Sequence, residues 1–84
     1  MHDLHEANRI IKLVLEKAAD NNLKLVKEID IRLGKIEEHG EIINPSNLEF
    51  NMKNLAKGTI VEGALINIEV IKGDSWELVS IDGV

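Results

Sequence analysis

The sequence has no cysteine, no tyrosine and a single proline. Without thiols it cannot form a disulfide, a thiolate zinc site, an iron–sulfur cluster or a cysteine nucleophile. Phe50 and Trp76 are its only aromatic residues, which leaves no platform on which nucleic-acid bases could stack. Lys and Arg number 10 against 15 Asp and Glu, for a net charge of −5. A binder of phosphate backbones needs a basic face, and no Lys/Arg cluster is present. Long apolar runs and a signal-peptide core are also missing. The expectation is a cytoplasmic protein with neither nucleic acid nor membrane as partner. Phosphate loops, nucleophile elbows and His-Glu-x-x-His are absent too, so the chain is not expected to be an enzyme.

What remains is enough for one small domain. The chain has 84 residues, 44% of them hydrophobic, and Ile, Leu and Val must supply the core. Residues 3–21 read as an amphipathic helix. Leu4, Ala7, Ile11, Val14 and Ala18 recur at helical spacing, and Ile10 and Leu15 widen the stripe. Asp3 with Glu6 forms an N-capping pattern, and Asn21-Asn22 offers a left-handed stop. Residues 25–33 alternate like a strand, with Leu25, Ile29, Ile31 and Leu33 on one face and Glu28, Asp30 and Arg32 on the other. Gly34 ends that strand, and a carboxylate-rich loop runs from Lys35 to Ile43. Asn44-Pro45 starts a second helix, buried through Leu48, Met52, Leu55 and Ala56 and closed by Gly58. Residues 59–71 predict a strand with Ala64, Ile66, Ile68 and Val70 on one face. A turn at Lys72–Ser75 and a last strand at 76–82 follow, the two strands expected to pair as a hairpin. The order α-β-α-β-β predicts an α/β (α+β) two-layer sandwich. Two helices would lie on one face of a three-stranded sheet, and a parallel crossover would join the first two strands.

The first residues carry the chemistry. A histidine at position 2 offers a metal three nitrogens from two residues: the α-amine of Met1, the His2 amide and the His2 imidazole Nδ1. They close two adjacent chelate rings and suit planar Ni(II) or Cu(II). The bulky His2 should keep Met1 in place. A helix starting just after His2 leaves its amide outside the hydrogen-bonded ladder, free to lose its proton to a metal. Asp3 has two candidate jobs, helix cap or metal contact. His5 stands one turn on and reads as an exposed first-turn histidine or a further nitrogen donor. His39 lies among Glu37, Glu38 and Glu41, either a solvated loop or the source of a fourth ligand.

These stretches, taken in order, resemble the HypA family of nickel-insertion accessory proteins for hydrogenase and urease. Met1-His2-Asp3-Leu4 is similar to the family's Met-His-Glu/Asp start, and Ile31-Arg32-Leu33-Gly34 to its first strand. Leu48-Glu49-Phe50 and Leu55-Ala56-Lys57-Gly58-Thr59 are similar to its second helix and exit. Glu62-Gly63-Ala64 and Glu77 to Asp82 resemble its last strands. The resemblance implies a nickel metallochaperone with Met1, His2 and Asp3 at the metal. Its partners would be a nickel-handling maturation GTPase and a nickel-enzyme precursor. The family's acidic third residue is associated with nickel binding and partner docking. Family members also carry a zinc domain with two Cys-x-x-Cys pairs between the last two strands. Here only Lys72–Ser75 joins Val70 to Trp76, so residues 1–84 are expected to form a single nickel domain without zinc. The loop after Gly34 is longer than in the family. The rival reading is a metal-free interaction or regulatory module on the same fold.

Overall fold

Helix α1 (His2–Asp20) begins the chain, and Ala7, Ile10, Ile11, Val14 and Ala18 are the residues it buries. The computed structural model describes residues 2–35, 37, 38 and 41–84. The helix starts one residue earlier than its sequence pattern predicts, and Leu4 stays 38% exposed rather than joining the stripe. Its end follows from Asn22, whose φ of 57° lies in the left-handed region. The Leu23 amide donates to the Ala18 carbonyl at 2.9 Å and the Asn22 amide to Ala19 at 3.1 Å. That pair of bonds is a Schellman motif with asparagine at the left-handed position.

Strand β1 (Val26–Leu33) is the centre of a three-stranded sheet ordered β4-β1-β5. Strand β4 (Leu65–Val70) runs parallel to it, with Ile29 opposite Ile66 and Ile31 opposite Ile68. Strand β5 (Trp76–Gly83) runs antiparallel along its other edge, with Leu33 opposite Trp76 and Val26 opposite Gly83. Lys27 on β1 and Val79 on β5 are each an extra residue at a register shift. A bulge changes the parity of alternation. This explains why Val26 is buried while Leu25, the residue that strict alternation sends inward, is 41% exposed.

The last two strands do not form the expected hairpin. They lie on opposite edges of β1, and the link between them crosses the end of that strand. The Ile71 amide donates to Leu33 at 2.9 Å, Gly34 to Ser75 at 2.9 Å and Lys35 to Gly73 at 2.8 Å. The reason is hydrogen-bond accounting. A β4–β5 hairpin would leave one edge of the most buried strand without partners, which is costly inside a protein. The crossing is tight: a Cβ on Gly34 would lie 2.7 Å from both the Gly73 carbonyl carbon and the Ser75 oxygen.

Two shorter segments also differ from the sequence expectation. The carboxylate-rich loop contains a small hairpin of β2 (Glu37–Glu38) and β3 (Glu41–Ile42), with Glu38 opposite Glu41. Strand β4 begins at Leu65 rather than 59, because residues 59–64 are spent on turns. There the Thr59 hydroxyl donates to the Ala56 carbonyl at 2.7 Å and accepts from the Val61 amide at 3.0 Å. A side chain bonding to nearby backbone in this way competes with a ladder.

Helix α2 (Pro45–Ala56) follows its sequence signals closely. Asn44 caps it, its side-chain oxygen accepting from the Ser46 and Asn47 amides at 2.8 and 3.2 Å, and Pro45 opens it. Leu48, Met52 and Ala56 are buried. Both helices pack on the sheet face that carries Ile29, Ile31, Leu33 and Ile66, giving a two-layer α+β domain with one core. The outer sheet face is largely polar, with Leu65 exposed on it opposite Glu28. Asn67 donates to Glu28 and Asp30 at 2.7 and 2.8 Å, and Ser80 to Asp30 at 2.9 Å. Arg32 lies 3.4 Å from Glu69 and 3.7 Å from Glu77.

Gly34→Ala should therefore cost at least about 2 kcal/mol in a urea unfolding experiment, since backbone must move to admit the methyl group. Gly58→Ala, at φ 79° but with open space around it, should cost only about 1 kcal/mol, the left-handed penalty alone. Equal losses would show that the crossing is not the constraint described here.

Candidate metal centre at the head of helix α1

Of the residues singled out by sequence, His2 and Asp3 are the first two of helix α1. Met1 and His39 lie outside the described residues. The first N–H groups of any helix have no intrahelical acceptor. The His2 amide therefore stays outside the ladder although His2 is helical. Asp3, by contrast, is a helical residue and not the residue ahead of the helix. The capping pattern with Glu6 fails for a second reason, because the Glu6 side chain is engaged elsewhere.

Glu6 is 4% exposed, and it is the buried charged side chain among the described residues. Its Oε1 accepts from the Trp76 indole Nε1 at 3.1 Å and from Arg9 Nη1 at 3.2 Å. The Arg9 guanidinium sits 5.9 Å from the Trp76 ring centroid, within cation–π range. A half-buried indole N–H needs an acceptor, and the first turn of α1 supplies one. Sequence reading missed this contact because Trp76 is 70 positions away. The available signal was position: Glu6 stands four residues before Ile10, at the edge of the buried stripe, where a surface carboxylate is out of place. Since Glu6 is already paired with Arg9, it offers less compensation to a cation at the helix head than its charge alone suggests.

His5 is exposed and borders an open hollow of about 490 Å³ with Leu4, Asn8 and Leu55. Glu38 belongs to the β2–β3 ladder rather than to a structureless loop. Among the described residues, no three His, Asp or Glu side chains form a group that could hold a metal. The carboxylates of the outer sheet face accept hydrogen bonds from Asn67 and Ser80 or form ion pairs with Arg32, and so cross-link the sheet.

Comparison with known proteins places the chain. A family model described as hydrogenase/urease nickel incorporation, metallochaperone, HypA matches residues 1–76. The chain belongs to the HypA family. It is 35% identical over 71 residues to the hydrogenase maturation factor HypA of Methanothermobacter thermautotrophicus, covering 84% of this chain and 55% of that protein. To HypA of Methanobrevibacter smithii it is 41% identical over 71 residues, covering 84% and 54%. To HypA of Archaeoglobus fulgidus it is 36% identical over 74 residues, covering 88% and 64%. The chain thus spans little more than half the length of the first two HypA relatives. Among its described residues no helix is long and apolar enough to cross a membrane.

Glu6→Ala in this HypA chain should lower stability by about 1–2 kcal/mol, because it strands the Trp76 N–H. Glu6→Gln, which keeps an acceptor for the indole, should lose less. Urea midpoints of the two variants check the order, and equal losses would show that the Arg9 ion pair, which both variants remove, outweighs the indole bond.

Proposed function

We propose that this chain is a nickel metallochaperone that holds Ni(II) at its first residues and passes it on in the maturation of a nickel enzyme such as a nickel–iron hydrogenase. The observation that carries the reading is the family match, which runs from residue 1. The unladdered His2 amide at the head of α1 supports it. The ligands are the Met1 amine, the His2 amide nitrogen and the His2 imidazole, with Asp3 close enough in sequence to contact the ion or a docking partner. His5, His39 and Glu38 are the candidates for the remaining position.

The chemistry suits a carrier. Deprotonating the His2 amide adds a negative charge, so the complex brings only about one net positive charge to the positive end of the helix dipole. Ligands outside the folded core can be exchanged without unfolding. Divalent preference alone favours Cu(II) over Ni(II) on such nitrogens, so selectivity comes from metal supply and from the acceptor. The work of delivery falls to partners, a nickel-handling GTPase and the enzyme precursor, with no catalytic step on this chain. The short link between β4 and β5 takes the place of the family's zinc domain, making residues 1–84 a nickel domain that carries no zinc.

Nickel titration of three proteins tests this: the chain starting at Met1, its His2→Ala variant, and a chain with two residues added ahead of Met1. The first should bind. Each of the others should lose on the order of 100-fold in affinity or more, at or beyond the range seen for outer-shell ligand losses. Affinity of the first should rise with pH towards about 8, where an α-amine gives up its proton. Equal binding by all three would remove the site and leave a metal-free interaction module.

A further inference from the structure

Leu4 and His5 are exposed, and Glu6 is the first described side chain on α1 that the fold buries. Among the described residues, the carboxylate of Glu6 on the indole of Trp76 is the polar side-chain tie between the start of α1 and the sheet, beside the buried Ala7. Trp76 is itself well anchored. It opens β5 opposite Leu33, and the carbonyl of its neighbour Ser75 accepts from Gly34 at the crossing. Arg9 closes the arrangement by bonding Glu6 and lying over the ring. A buried carboxylate is an expensive anchor, and an apolar residue at position 6 would have extended the Ala7–Ile10–Ile11 stripe more cheaply. What the polar link adds to the buried Ala7 is a directional attachment. Residue 2 stands one turn, about 6 Å of rise, ahead of it.

We infer that Glu6, Arg9 and Trp76 form a latch of positioning residues. It holds the first turn of α1 in place and thereby sets how long nickel is retained at the terminus. The inference rests on the reading of Met1 and His2 as ligands. None of the three latch residues touches the metal. Helix ends fray readily unless tied down, and a ligand frame that frays must be re-ordered each time metal binds. With the latch intact the His2 backbone is presented in one geometry, and release waits on its opening. A partner that engages the β4–β5 crossing and displaces Trp76 would open it and shorten retention.

The test compares the wild type with Trp76→Phe and Glu6→Gln in the full chain, and with Lys53→Ala, which breaks an exposed pair with Glu49 on α2. Two quantities are measured: nickel release into excess chelator, and amide exchange across residues 5–9. Trp76→Phe should release nickel about tenfold faster, in the lower range of outer-shell effects on metal sites, and lose first-turn protection. Glu6→Gln should fall between it and the wild type, and Lys53→Ala should match the wild type. The visible spectrum of the nickel complex should be the same in all four, because the ligand nitrogens are the same. If the wild type retains nickel and both latch variants release it at the wild-type rate, the latch is overturned while the metal site stands. Faster release with unchanged first-turn protection also overturns it. A wild type that takes up no nickel removes the latch's role together with the reading beneath it.

Discussion

Strand β1 must have partners on both edges, and most of this fold follows from that requirement. Val26, Ile29, Ile31 and Leu33 are sealed beneath two helices, so the backbone that carries them has little access to water. A small sheet can meet the demand with one parallel and one antiparallel neighbour. The parallel neighbour requires a crossover, which α2 and the turns at 59–64 provide. The antiparallel one requires the chain to pass over the end of β1, which only a glycine at position 34 permits.

Elements whose signals are local were legible in the sequence. Asn44-Pro45 specifies a helix start through one side chain and one ring, and Asn22 specifies a stop through one dihedral angle. The parallel pairing of the first two long strands could be anticipated because a helix separates them. The hairpin expectation failed because Lys72–Ser75 has the composition of a tight turn, and composition carries no information about which edge a strand joins. Leu25 was misplaced for a similar reason. The bulge at Lys27 is set by the register with β5, and nothing near Leu25 announces it.

The head of the chain shows the same division. The chelating potential of Met1 and His2 is a matter of covalent order, and is readable without any fold. The role of Glu6 is not. Paired with Asp3 three residues before it, Glu6 has the signature of a capping box, yet its carboxylate turns to Trp76 from the far end of the chain. Local pattern and long-range packing competed for one side chain, and the indole won because a half-buried N–H has few other acceptors.

Separating β4 from β5 by a whole strand changes what their connection must do. In a hairpin the connecting turn dictates how the two strands align, and lengthening it puts their registry at risk. Here each strand takes its alignment from β1 alone. The stretch between them is free of that duty, and the sheet is indifferent to its size beyond the few bonds at the strand end. Extra sequence inserted at such a position would leave the alignment of both strands to β1 in place.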